Sequence, residues 1–236
     1  MSNDLHNDIR DLAYAVREVR ERIRQAARRA GRDEKEITLV AVSKSVGQDK
    51  VAQAIACGVR HFGENRVQEF VPKQAVFPQV NWHFIGHLQT NKVKDIIGKA
   101  YLIHSLDRWR LAEYIDDRAR GLEVRVPVLL QVNVSGEKSK YGLAPAEVMS
   151  FLEAAQDLGH LSIQGLMTMA PEVDDPEETR TVFKDLHRIF ESIKQKNFSN
   201  TKMQYLSMGM TQDFEVAIEE GANLVRVGRA IFGSRR

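Results

Sequence analysis

The sequence predicts a single (β/α)8 barrel of the TIM type, spanning 1–236, with an extra N-terminal helix (1–31) packed on it. Short apolar, β-branched runs alternate with helix-period segments eight times along the 236 residues. Glycines close most of the helical segments, and no shift in composition marks a linker. The runs, typified by Thr38-Leu39-Val40-Ala41-Val42, are continuously apolar, the habit of parallel strands covered on both faces. Eight such units close a barrel. The competing open, doubly wound sheet lacks its glycine-rich dinucleotide fingerprint after the first strand.

The elements follow in order. Leu5, Ile9, Leu12, Val16, Val19, Ile23 and Ala27 recur at spacings of three and four, one face of a long helix that Gly31 stops. The arginines around it (Arg20, Arg22, Arg24, Arg28, Arg29) are interrupted by Glu18 and Glu21 and read as a solvated face. Strands are expected at 37–43, 59–62, 80–85, 100–103, 124–132, 161–166, 203–206 and 224–227. Helices are expected at 48–56, 65–74, 91–97, 107–120, 145–158, 176–194 and 211–220, with a short apolar tail after the last strand.

Composition excludes several classes. Apolar residues make up 43% and charged ones 28%, as in a folded globular chain. Thirty-four basic residues nearly cancel 32 acidic ones, so a net charge of +2 creates no field for nucleic acid or acidic lipid. Cys57 is alone, which rules out an internal disulfide and a cysteine zinc site. His83 and His87 have the spacing of paired ligands on a helix but fall across a strand end and a loop, so no metal is expected. His104 reads as a satisfied strand-end histidine. The polar, acidic N-terminus is unlike a leader and no run is long enough to cross a bilayer, so a cytoplasmic protein is expected.

In barrels of this kind chemistry gathers at the C-terminal ends of the strands. There the sequence offers Lys44, Gly63-Glu64-Asn65, Gly86-His87, His104-Ser105, Asn133, Met167-Thr168, Ser207-Met-Gly-Met-Thr211 and Arg226-Val-Gly228. A lysine closing an apolar strand is either a solvated strand end or a partly desolvated amine able to form an imine. Gly209 lets the backbone turn so that amides converge, and Thr211 is placed to cap the helix that follows. With Arg226 and the amide of Gly228, these two loops are either ordinary turns or a phosphate cradle. A lysine and a phosphate cradle in one mouth fit a phosphorylated aldehyde such as pyridoxal 5′-phosphate (PLP).

The motifs also carry a family resemblance. Ala41-Val-Ser-Lys44, Phe62-Gly-Glu-Asn65 with Val67-Gln-Glu69, and His83-Phe-Ile-Gly86 with Leu88-Gln and Asn91-Lys92 open it. Ser139-Lys140, Gly165-Leu-Met167, Ser207-Met-Gly-Met-Thr211 and Arg226-Val-Gly-Arg-Ala-Ile-Phe-Gly233 continue it in order. Together they resemble the pyridoxal phosphate homeostasis proteins, similar in fold to the N-terminal barrel of alanine racemase and to fold type III PLP proteins. The resemblance implies a covalent aldimine on Lys44 and a phosphate held by Ser207, Gly209 and Thr211. It places Arg226 at the pyridine nitrogen or the phosphate, the Gly228 amide beside them, and Asn65 near the lysine end of the ring. Met167 completes the cofactor-binding set, and Lys140 is a second acceptor for the aldehyde. Arg66, Ser45 and Val46-Gly47 depart from the family's usual tyrosine, threonine and Lys-Pro, and Thr211 often appears as serine.

The sequence stops soon after the last strand, so the second, mostly β domain that racemases of this class use is not expected. The resemblance therefore implies a carrier of PLP in vitamin B6 homeostasis, delivering it to apo-enzymes without catalytic residues or turnover. The alternatives are a racemase-like enzyme of low activity and a barrel enzyme that binds a sugar phosphate through Lys44. A monomer is expected.

Overall fold

The computed structural model describes residues 2–137 and 139–233, with side chains from residue 11 onward. Leu5 and Ile9 of the predicted stripe and the terminal Ser234-Arg235-Arg236 lie outside the described side chains. Helix Ser2–Arg29 (α1) leads into strand Thr38–Val42 (β1) and helix Gln48–Ala56 (α2). The alternation continues with His61–Glu64 (β2), Val67–Val76 (α3), Asn81–Phe84 (β3), Val93–Ile96 (α4), Leu102–Leu106 (β4) and Trp109–Arg120 (α5). It ends with Val126–Gln131 (β5), Val148–Ala155 (α6), Leu161–Met167 (β6), Arg180–Lys194 (α7), Thr201–Ser207 (β7), Phe214–Glu219 (α8), Leu224–Val227 (β8) and Arg229–Phe232 (α9).

The strands pair in parallel in chain order and close, with Val40 beside His61 of β2 and Arg226 of β8. This is the eight-stranded barrel that the alternation predicts. Successive side chains on a strand point to opposite faces. Val40, Leu102, Leu129, Met167 and Leu224 form a small cluster inside the barrel. Their strand neighbours, such as Ala41, Ile103, Leu130, Leu166 and Val225, join the larger core between strands and helices. The helices bury one stripe each: on α7 it is Phe183, Leu186, Phe190 and Ile193, spaced three and four apart.

Two strands differ from expectation in an informative way. The second runs His61–Glu64 rather than 59–62, because the Val59 amide still donates to Ala54 O at the end of α2. The fourth runs Leu102–Leu106 rather than 100–103, because the Ala100 amide donates to Ile96 O and pairing begins at Leu102 opposite His83. In both, polar residues that look like strand ends (Glu64, His104, Ser105) are fully buried within the strand.

The arginines of α1 are not merely a solvated face. Arg20 donates to the carbonyls of Cys57 and Gly58 beyond α2, at 3.3 and 2.8 Å. Arg22 and Arg29 pair with Glu215 at 2.7 and 2.9 Å, and Arg29 with Glu219 at 2.7 Å. Arg32 caps the carbonyls of Ile218 and Ala222 at 2.9 and 2.7 Å. Leu12, Val16, Val19 and Ile23 of α1 are buried, and these polar contacts ring the apolar seam.

Gly165 in β6 has a φ of +147°, and a Cβ there would lie 1.8 Å from the carbonyl oxygen of Tyr205 on β7. Gly165→Ala is expected to cost more than about 3 kcal/mol in urea denaturation. Gly159→Ala, where a Cβ meets nothing within 4 Å, is the control and should change stability by less than about 1 kcal/mol.

Candidate functional site

A cavity of about 1100 Å³ opens at the C-terminal ends of the strands. Lys44, Asn65, Thr211, Arg226 and Gly228 of the predicted set line it, together with Val42 and Ile85. Ser207, Gly209 and Met167 do not line it. Met167 belongs to the cluster inside the barrel, and Ser207 lies fully buried beneath Arg226. Lys140 stands on the loop after β5, where its ammonium pairs with Glu137 at 2.7 Å.

The backbone on either side of Lys44 is clamped by a buried ionic cluster. Lys73, nearly buried on α3, donates to Glu64 Oε1 at 2.6 Å and to the Ser43 carbonyl at 2.7 Å. The Ser43 hydroxyl donates to the same Glu64 oxygen at 2.7 Å. Glu69 accepts the Ser45 amide at 2.6 Å and lies 3.4 Å from the Lys73 ammonium. Ser45 adopts a φ of +61°, an uncommon conformation for a residue with a side chain, and that amide bond helps hold it. Burial pushes the Glu64 carboxyl up, against the pull of Lys73 and Ser43. Of this cluster, Lys73 carries no strand-end signal in the sequence; its only trace is the four-residue spacing from Glu69 on a helix.

The loops after β7 and β8 are tied to each other. Gly209 has a φ of +89°, and a Cβ there would lie 2.6 Å from Ala217 Cβ and 2.8 Å from Phe214 Cα, so only glycine lets the loop lie on α8. Its carbonyl accepts the Arg226 amide at 3.0 Å. The helix after the loop begins at Phe214, and Asp213 takes the Met210 amide at 2.6 Å. Thr211 therefore does not cap that helix; its hydroxyl accepts the Gly228 amide at 3.4 Å and bridges the two loops.

Arg226 is the buried charge of the site. Its Nη1 donates to Ser207 Oγ at 2.5 Å and its Nη2 to the Thr168 carbonyl at 2.8 Å. Among the described residues no carboxylate pairs with it, and burial lowers its pKa to about 10, with Asp213 acting in the opposite sense. A lone buried guanidinium calls for an anionic or electron-rich partner. Asn65 lines the same cavity, and its buried Oδ1 has no hydrogen-bond partner among the described residues. An anion or lone pair for Arg226, a donor for Asn65 and a carbonyl for Lys44 together describe a phosphorylated aldehyde with a phenolic hydroxyl and a ring nitrogen. The residues present fit PLP.

His104 is satisfied, as the sequence suggests, but within its strand: its Nδ1 lies 3.0 Å from Ser207 Oγ and its Nε2 2.9 Å from His83 Nδ1. His87 stacks on Tyr141, with ring centroids 3.9 Å apart, and bonds Asp107 at 2.9 Å. No group of three metal-ligating side chains occurs among the described residues. No described helix is long and apolar enough to cross a membrane.

This barrel, with a lysine after its first strand and an arginine in its last, defines an alanine-racemase-type barrel. The family model for the alanine racemase N-terminal domain matches residues 15–236. The alanine racemase of Corynebacterium glutamicum shares the fold at a TM-score of 0.73 and 14% identity, over 96% of this chain and 62% of that one. The pyridoxal phosphate homeostasis protein of Aquifex aeolicus is 43% identical over 92% of this chain and 96% of its own length. PipY of Synechococcus elongatus, solved with PLP bound, superimposes at a TM-score of 0.81 with 33% identity, over 94% of this chain and all of that one. The chain belongs to the family of pyridoxal phosphate homeostasis proteins.

Lys73→Met should cost about 3–5 kcal/mol in chemical denaturation, because it leaves Glu64 charged and buried; Lys73→Met combined with Glu64→Leu should recover most of the loss. A pH effect follows from the histidines. Burial holds His83 and His104 well below the ordinary value of 6.5, and the approach of His61 to the first and of His83 and Arg226 to the second acts in the same sense. Unfolding therefore takes up protons below that value, so stability present above it is lost as pH falls toward the depressed folded pKa. The urea midpoint should therefore fall as pH is lowered below 6.5, and a midpoint that holds constant there would contradict it.

Proposed function

We propose that this protein binds PLP in the cavity at the strand ends, as an imine on Lys44, and serves as a carrier of the cofactor rather than an enzyme. The observation that carries the reading is the convergence of Lys44, Asn65, Arg226 and the tied loops of Thr211 and Gly228 on one cavity. When bound, PLP supplies an aldehyde, a phosphate and a pyridine that acts as an electron sink when protonated. Lys44 is the amine for the aldehyde. Thr211 and the amides of the two loops hold the phosphate, with Ser207 and Gly209 shaping the cradle from beneath. Met167 supports the floor from inside the barrel.

Arg226 favours storage over chemistry. A guanidinium beside the ring nitrogen disfavours its protonation and so weakens the sink that racemisation needs. The names of the relatives, homeostasis proteins rather than enzymes, agree with this. The protein is proposed to work as a cytoplasmic monomer that delivers PLP to apo-enzymes, with Lys140 as a second acceptor during transfer.

The visible spectrum of purified protein, before and after borohydride reduction, tests the reading. Wild type should be yellow with reducible absorbance, and Lys44→Ala should lose that absorbance. A wild type that takes up no added PLP would overturn the reading. Racemase or transaminase turnover above about 1 per second would replace carrier with enzyme.

A further inference from the structure

A row of three histidines crosses the barrel interior toward the buried arginine. His61 Nδ1 lies 2.9 Å from His83 Nε2, and His83 Nδ1 lies 2.9 Å from His104 Nε2. His104 Nδ1 lies 3.0 Å from Ser207 Oγ, the atom that accepts from Arg226 Nη1 at 2.5 Å. At the far end Asn81 Nδ2 lies 3.3 Å from His61 Nε2. His83, His104 and Ser207 are fully buried, and these contacts join β2, β3, β4, β7 and β8. The proposed role of Lys44 and the two loops uses none of the histidines.

Donor and acceptor rules give the row a direction. An amide NH2 only donates, so His61 Nε2 accepts from Asn81. A neutral imidazole carries one ring proton, so that of His61 sits on Nδ1 and is donated to His83 Nε2. The same step repeats from His83 to His104, and from His104 Nδ1 to Ser207 Oγ. A guanidinium also only donates, so Ser207 Oγ accepts twice and both its lone pairs are used. Its own proton is left to donate.

Neutrality of the rings is required by their setting. A charged imidazole at His83 would set its Nε2–H against the Nδ1–H of His61 across a 2.9 Å contact, and one at His104 would add a cation near Arg226. Burial disfavours the charged form at both positions.

We propose that His61, His83 and His104 are positioning residues for the cofactor site: as a neutral row of Nδ1–H tautomers they make Ser207 an obligate donor and hold the Arg226 guanidinium in the cavity wall. Arg226, the member of this end that lines the cavity, then offers only donors to what the cavity binds. Such an end accepts a phosphate oxygen or an unprotonated ring nitrogen and turns away a pyridinium N–H. The proposal rests on the PLP reading above for the identity of its ligand, while the state of the row is a property of the protein alone.

The test has two arms. Long-range ¹H–¹⁵N correlation spectra of uniformly ¹⁵N-labelled wild type, without ligand, report the tautomer of each histidine. All three rings should be neutral and protonated on Nδ1 at pH 7, with His83 and His104 unchanged between pH 6 and 8. An Nε2–H tautomer at His83 or His104, or titration of either in that window, overturns the proposal whatever the protein binds. In the second arm, PLP affinity is read from the visible absorbance of His104→Leu and His104→Asn. Leucine should weaken binding at least about tenfold by freeing Ser207 Oγ from its second donor, and asparagine, which keeps a donor amide, should restore most of it. Wild-type affinity in His104→Leu overturns the proposal. A wild type that takes up no PLP defeats the functional reading instead, and the tautomer spectra still decide the row.

Discussion

A guanidinium buried in the wall of a barrel, with no carboxylate among the described residues paired to it, is the constraint around which the mouth of this protein is arranged. Arg226 enters the wall because β8 alternates its side chains, sending Val225 and Val227 to the outer core and Arg226 inward. Once there, its charge must be met by dipoles, and Ser207 Oγ and the Thr168 carbonyl meet it at 2.5 and 2.8 Å. Both come from neighbouring strands at the level where β6 and β7 end. An isolated buried cation is costly, and an anionic ligand offsets that cost. Because Arg226 also lines the cavity, its charge is presented to whatever the cavity holds.

A second polar assembly stands across the mouth. Glu64, Lys73 and Glu69 satisfy one another and, in doing so, pin the carbonyl of Ser43 and the amide of Ser45. Lys44 sits between those two anchors, so its backbone is held by charges that are not themselves in the cavity. The two assemblies differ in kind. The one near Lys44 is a compensated ion pair, which fixes geometry. The one around Arg226 is a row of hydrogen-bonded rings that ends, through Ser207, on a guanidinium lining the cavity.

Both assemblies explain where strand boundaries depart from the pattern of the sequence. Local periodicity ends a strand at its first polar residue, since an exposed strand end is the usual place for one. Here Glu64, His104 and Ser105 continue the strands, because the interior of a barrel near its mouth is lined by hydrogen-bonded polar groups. Two elements were legible to the residue: α2 spans Gln48–Ala56 and β8 spans Leu224–Val227, as their patterns predict. The arginines of α1 show the same limit, since a basic helix face looks the same whether water or the ends of α2 and α8 lie opposite.

The sequence by itself determined the barrel and the succession of its strands and helices, because hydrophobic period and glycine stops are local properties of the chain. It also carried the motifs that assign the family. Only the tertiary structure decided which strand-end residues face one cavity, that Ser207 lies under Arg226 rather than beside it, and that Lys73 reaches Ser43 thirty residues away. It alone aligned His61, His83 and His104, from three successive strands, into one row. Those relations depend on the register of strands around a closed sheet, and register is a property of pairing between segments that no single stretch of sequence contains.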